Sequence, residues 1–203
     1  MQEYEYYYEG AKFYCYPDTN VLINKFHIKD DAELDEIERG ITYTKTAVYM
    51  QNPISGKFDF EHFCAIHRFL FEDIYEWAGK IRTGGFMSKG GTVFAKSDFI
   101  EGLFSEYYEK LEKENFLIGL DKERFCERLA YFMAEVNTIH PFREGNGRTT
   151  KLYFDQLAQK AGYKIKFSLV DKDELILADV LAYQLKYDLS IEILNKIVMP
   201  LES

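Results

Sequence analysis

Apolar residues recur at helical spacing along most of this chain. Between Asp121 and Ile139, the residues Phe125, Leu129, Phe132, Met133 and Val136 fall three or four positions apart, the mark of a helix with one buried face. The same pattern predicts a helix from Asp30, an N-cap with Glu33 three residues on, to Asn52-Pro53, with Leu34, Ile37, Ile41 and Val48 inward. It predicts another from about Asp59 to Ile74, striped by Phe60, Phe63, His67, Leu70, Phe71 and Ile74. Further helices are expected at about 97–115, 147–162 and 171–187, with a shorter one near 189–198. Residues 82–95 break the period. They hold short β-prone pieces, and Gly90-Gly91 between Phe86–Lys89 and Thr92–Phe94 reads as a hairpin turn. A lone two-stranded hairpin is marginal, so it must pack on helices, and its edge is open to an extended segment of another protein. Residues 1–27, rich in tyrosine and without a period, read as a lightly structured arm lying on the core. The expected fold is all-α, a helical bundle with a short β-hairpin, with no repeat or linker in its 203 residues.

Composition narrows the function. Apolar residues at 47% and charged residues at 29% are ordinary for a soluble globular protein. A formal charge of -9 opposes nonspecific binding of nucleic acid, which needs a basic surface. No apolar run approaches the roughly 18 residues of a membrane span, and the acidic start Met1-Gln-Glu-Tyr lacks the features of a secretory signal. Three widely spaced cysteines, Cys15, Cys64 and Cys126, suit reduced thiols in a cytoplasm better than a disulfide framework.

The chemistry is concentrated in His140-Pro-Phe-Arg-Glu-Gly-Asn-Gly-Arg148. His140 lies four residues past Val136 and so leaves the helix on its inward face, while Pro141 disfavours helical geometry there. Gly145 and Gly147 let the backbone bend and approach a ligand. The helix that follows offers free N–H groups and a positive dipole end, an anion site. Arg148 in its first turn opposes that dipole, which a bound anion would explain. Elsewhere the signals are weaker. His62 and His67 are five apart, off the spacing that aims two histidines at one metal, and His67 reads as a satisfied core histidine. Ser55-Gly56-Lys57 lacks the glycine of a Walker loop.

The loop resembles the signature of the Fic family, His-x-Phe-x-Asp/Glu-Gly-Asn-Gly-Arg-x-x-Arg, through His140, Phe142, Glu144, Gly145, Asn146, Gly147 and Arg148; Lys151 replaces the last arginine. Ile54-Ser-Gly-Lys-Phe58 and Asp73-Ile-Tyr-Glu-Trp-Ala-Gly-Lys80 also resemble the family, and Lys89 to Phe94 looks like its flap, so the likeness runs from about 30 to about 189 within a single Fic domain. The resemblance implies transfer of AMP from ATP to a hydroxyl side chain of a target protein. It makes His140 the general base and Glu144 the ligand of Mg²⁺. Phe142, Gly145, Asn146, Gly147, Arg148 and Lys151 would bind the nucleotide, and Lys89, Gly90, Gly91, Thr92, Val93 and Phe94 would position the target. It further implies the toxin class whose inhibitor is a small separate antitoxin carrying Ser-x-x-x-Glu-Gly, some members of which modify the ATPase subunits of type II topoisomerases. Within this chain only Ser97–Gly102 matches that inhibitory pattern, just after the flap, where Ser97 reads as a helix cap; Ser190–Asn195 has the frame with Leu194 in place of glutamate. Transfer of another nucleotide-derived group, or nucleotide binding without transfer, are the competing readings. The intact Gly145-Asn146-Gly147 favours AMP over the first, and His140 with Glu144 argues against the second.

Overall fold

The computed structural model describes residues 6–89 and 91–201. Along the chain run β1 (Tyr6–Tyr8), α1 (Asp31–Gln51), α2 (Phe60–Phe71), β2 (Met87–Lys89), β3 (Thr92–Val93), α3 (Ile100–Lys113), α4 (Lys122–Ile139), α5 (Asn146–Lys160), β4 (Tyr163–Ile165), α6 (Lys172–Tyr183), α7 (Asp188–Ile197) and β5 (Val198–Pro200), with four short 3₁₀ turns among the described residues. Helix starts follow local chemistry. Asp30, Asp59 and Asp121 each accept a hydrogen bond at 2.9 Å from the N–H three residues on, and Asp171 accepts from Asp173 at 2.8 Å. Each cap satisfies one of the orphan donors at a helix start.

Helix α4 is the axis of the bundle. It packs on α3, α5, α6 and α7, while α2 lies against α1, α3 and α5. Its stripe of Phe125, Leu129, Phe132 and Val136 is fully buried, as the periodicity predicts, and it meets Phe63 and Ile66 of α2, Phe104 and Tyr107 of α3 and Phe154 and Leu157 of α5 in one hydrophobic core. Aromatic rings fill the α2–α3–α5 junction: Phe63 packs on Phe104 and on Tyr153 with centroids 5.2 Å apart in each case.

Three features depart from the sequence reading. The buried face of α1 is Leu34, Glu38, Thr42 and Tyr49, with Val48 exposed. The helix is thus turned so that two polar residues point inward, for a reason found at the site. The N-terminal arm is not loosely laid on the core. Its β1 pairs antiparallel with β2 (Tyr6 with Lys89, Tyr7 with Ser88, Tyr8 with Met87), so the hairpin becomes a three-stranded sheet of order β1-β2-β3. A second sheet, β4 with β5, joins the end of α5 to the end of α7; strands of three residues are too short to show alternation.

Replacing Ile66, fully buried on α2, by alanine should cost about 2–5 kcal/mol of unfolding free energy. Replacing Tyr43, 79% exposed on α1, should stay within about 0.5 kcal/mol. Denaturant unfolding of the two variants checks the assignment of faces.

Candidate active site

Helix α4 ends in an unusual way. His140 is its C-cap in the left-handed conformation (φ 47°, ψ 62°), and its N–H still closes the last turn on Val136 at 3.1 Å. Pro141 keeps His140 out of right-handed helix, and a left-handed non-glycine residue costs roughly 1–2 kcal/mol. Arg82 secures that geometry. It is fully buried between α2 and the hairpin, and its Nε donates to the His140 carbonyl at 2.8 Å while its backbone N–H donates to Pro141 O at 2.9 Å. Its Nη1 donates to Gly85 O at 3.0 Å and its Nη2 to Ala95 O. The imidazole of His140 lies flat on Phe94, centroids 3.7 Å apart at 12°. Its Nδ1 is buried with no hydrogen-bond partner of good geometry. Burial first, and then the Arg82 charge, push the ring's pKa down from 6.5 to about 3; the Asn137 carbonyl opposes this in part, and Lys89 adds to it.

The loop after His140 is built from below. Phe142 is fully buried, stacked on His67 at 3.8 Å and on Phe63 at 5.5 Å. It supports the loop from the core. Asn146 also supports the loop. Its Oδ1 accepts from Phe142 N at 2.9 Å and its Nδ2 donates one hydrogen to Phe142 O at 2.8 Å, so its side chain closes the loop and keeps a second N–H. His67 confirms its reading as a satisfied core residue. Gly79 N–H donates to its Nδ1 at 2.8 Å, which puts the ring proton on Nε2, and Nε2 donates to Glu144 O at 3.0 Å. Burial, aided by the Arg148 charge and opposed by the bond to Glu144 O, lowers its pKa to about 3. Gly145 must be glycine twice over: its φ is +80°, and a Cβ there would lie 2.2 Å from the Phe71 ring.

Above this base the N-terminus of α5 is open. Gly145 is the N-cap with no side-chain cap, and a Cβ on Gly147 would meet nothing within 4 Å, so there is open space beside the first turn. Glu144 stands beside them, with Oε1 accepting from Gly145 N at 2.8 Å and Oε2 making no hydrogen bond to the described residues. Arg148, 32% exposed, donates from Nη2 to Glu38 at 2.6 Å and to Glu144 at 3.3 Å, and from Nη1 to Thr42 Oγ1 at 3.2 Å. The sequence reading asked for a bound anion to explain a cation at this dipole end; the buried Glu38 of α1 supplies that negative charge. Tyr75 donates to the other Glu38 oxygen, its phenol kept protonated by burial and by the Glu38 charge. This is why α1 turns Glu38 and Thr42 inward. Neither Glu38 nor Arg82 was found from the sequence; a glutamate at an inward helical position was the available signal for the first, and an arginine amid glycines and apolar residues for the second. Lys151 lies elsewhere: its neighbours are the Phe167 ring, 5.8 Å away, and Asp179, and burial lowers its pKa against the pull of Asp179.

Of the flap positions, Gly90 lies outside the described residues. Lys89, Gly91 and Val93 are exposed, Thr92 is buried, and Phe94 turns inward onto His140. Arm residues brace the hairpin's base: Glu9 N–H donates to Phe86 O at 3.1 Å, its carboxylate accepts from Phe86 N at 2.9 Å, and Tyr14 OH accepts from Thr83 N at 2.9 Å. Arg143 lies 5.7 Å from the Tyr8 ring, so the arm also reaches the loop. Ser97, expected to cap a helix, instead accepts from Gly85 N at 3.2 Å and ties the hairpin to α3.

His67 and His140 are held neutral in the fold and are free to protonate near 6.5 when unfolded. Between pH 6.5 and about 3 the unfolded chain therefore binds more protons, and stability falls as the pH falls through that window. The melting temperature should drop from pH 7 to pH 5, and less steeply in His67→Gln.

Comparison with known proteins fits this geometry. The Fic/DOC family profile matches residues 57–158. The chain is 40% identical over 183 residues to the protein adenylyltransferase VbhT of Bartonella schoenbuchensis, which covers 90% of this chain and 38% of that protein. It therefore spans about two fifths of that relative's length. It is 33% identical over 165 residues to the probable protein adenylyltransferase Fic of Escherichia coli, covering 81% of each. The crystal structure of BepC from Bartonella tribocorum with bound AMPPNP matches with a TM-score of 0.90 at 28% identity, over 96% of this chain and 100% of that one. The loop, the fold and these relatives agree, and the chain belongs to the Fic/DOC family.

Proposed function

We propose that this protein is an adenylyltransferase that moves AMP from ATP to a hydroxyl side chain of a target protein. The observation that carries the reading is one arrangement: a histidine kept neutral at the end of α4, separated by a short glycine-bearing loop from an uncapped helix N-terminus flanked by Glu144 and Arg148. Relatives of this chain are named protein adenylyltransferases, and a structural neighbour holds AMPPNP, an ATP analogue.

In this reading the first N–H groups of α5 receive phosphate oxygens, and Arg148 reaches the β- and γ-phosphates with its guanidinium. A divalent cation fits the residues present. Mg²⁺ is commonly held by one or two carboxylates plus phosphates and waters; Glu144 offers one unengaged oxygen, and no cluster of three acidic, histidine or cysteine ligands occurs among the described residues. The ion would neutralise phosphate charge. The target hydroxyl gives its proton to His140 Nε2 as its oxygen forms a bond to the α-phosphorus. The bond from that phosphorus to the β-phosphate oxygen breaks, and pyrophosphate leaves. The hairpin beside His140 holds the target segment.

His140→Ala should lower AMP transfer by about 10²–10⁴-fold while ATP affinity holds, because the base acts on the hydroxyl. Glu144→Ala should remove the dependence on Mg²⁺ together with the activity. Adenylyl mass added to target protein and calorimetric ATP binding test both; transfer retained by His140→Ala, or wild-type rates in chelator, would defeat the assignment. The type II topoisomerase ATPase subunits are the first targets to try.

We further propose that this protein is the toxin of a cytoplasmic pair, restrained by a small helical antitoxin that brings a glutamate to the phosphate site. Two observations support control from outside the described residues. Leu194, at the position where the frame needs glutamate, is buried on α7, and Glu192 within the same frame pairs with Lys196 at 2.8 Å on the surface. Glu101 is exposed on α3, with no ion pair to Arg148 or Lys151. Glu101→Gly and Glu192→Gly should leave AMP transfer unchanged; a large rise from either would show an inhibitor inside the chain.

A further inference from the structure

Arg82 occupies a position that the reaction above does not use. Its hydrogen bonds reach the His140 end of α4 and the two legs of the hairpin. Its guanidinium lies in the seam between them, completely buried, and each of its three nitrogens faces a carbonyl from a different segment. Nε bonds His140 O, Nη1 bonds Gly85 O before β2, and Nη2 bonds Ala95 O after β3. Its own backbone N–H takes Pro141 O, and Ala95 N–H closes the circle on Thr138 O at 2.9 Å. The neighbouring residue is held as well, with Thr83 O accepting from Tyr8 and Thr83 N–H donating to Tyr14.

This geometry demands a guanidinium. Three acceptors lie around one plane, and arginine carries its donors in a rigid fork. Lysine would present a compact charge to the same acceptors and could not align with all three. We infer that Arg82 is a positioning residue for the transfer, locking both legs of the target-holding hairpin to the carbonyl of His140 so that target hydroxyl and base share one register. The inference rests on reading His140 as the base. Nucleotide affinity does not depend on Arg82, because α5 and Arg148 supply it. A purely structural arginine would, when lost, weaken nucleotide binding and transfer together; a register clamp loses transfer alone.

The test uses the full chain with Arg82→Gln, Arg82→Lys and His140→Ala in parallel. ATP binding is read by calorimetry, and turnover is read at saturating ATP. Arg82→Gln should bind ATP with wild-type affinity and transfer AMP on the order of 100-fold more slowly, the cost of misplacing a reacting group by about an ångström. Arg82→Lys should recover part of that loss. Amide exchange of the wild-type protein gives a second reading that needs no variant: the N–H groups of Ala95 and His140 should open together as one slow unit, while Val93 exchanges faster. Wild-type turnover in Arg82→Gln would overturn the inference, as would loss of ATP affinity in proportion to transfer. If the glutamine variant does not fold, the exchange data decide, and an Ala95 amide as fast as Val93 counts against the clamp. Activity in His140→Ala would instead overturn the reading of the base.

Discussion

A helix that must stop one residue before a proline, with that residue left-handed, is the constraint on which the site depends. The conformation costs about 1–2 kcal/mol, and nothing within α4 offsets it. The compensation comes from elsewhere in the chain. A hydrogen bond from a charged donor contributes about 1.5–3 kcal/mol, and ring stacking about 0.5–1.5 kcal/mol beyond its buried area. The bond from Arg82 and the stack on Phe94 together outweigh the strain. What results is an imidazole with one face covered and one nitrogen buried, held by backbone geometry and by the Phe94 stack.

The polar groups beneath the loop obey a second rule, that a buried charge must be both paired and hydrogen-bonded. Glu38, with only 8% of its side chain exposed, meets Arg148 on one oxygen and Tyr75 on the other. Such a pair contributes little net stability compared with well-packed apolar side chains, but losing one partner leaves a charge stranded at a cost of about 3–5 kcal/mol. Its value is directional. It fixes the plane of the Arg148 guanidinium before any nucleotide arrives, while Glu144, more exposed and at the longer distance of 3.3 Å, is the partner more easily released. His67 does a similar job without charge: with Nδ1 filled by Gly79, it has one donor, and that donor holds Glu144 O.

Much of this was legible in the sequence. The helices stood close to where the periodicity put them because each buries a stripe, and α1, α2, α4 and α6 start at an aspartate cap. The loop was legible because its residue types are costly to assemble by chance. What stayed hidden depended on contacts distant along the chain. Phe142 and Asn146 carry motif positions whose support of the loop, one as a core ring and the other as a backbone clasp, shows only in the contacts they make. Glu38 was concealed because an inward glutamate on α1 makes sense only once Arg148 is known to lie opposite. Arg82 was concealed because its partners are carbonyls, which leave no trace in residue type. The strand β1 was missed because three tyrosines in a row show no alternation.

The β1–β2 pairing sets the order in which the molecule can be completed. The bond from Phe86 N–H to Glu9 joins residues 77 positions apart. Helical turns close within microseconds, and contacts that span much of a chain form late because loop-closure entropy is lost before they gain anything. A nascent chain therefore assembles its helical bundle first and receives its lateral strand last. During that interval the phosphate site at α5 already exists, but the hairpin is still two strands with an unguarded edge. Late closure makes the newly made chain briefly more prone to pair with other strands than the finished one.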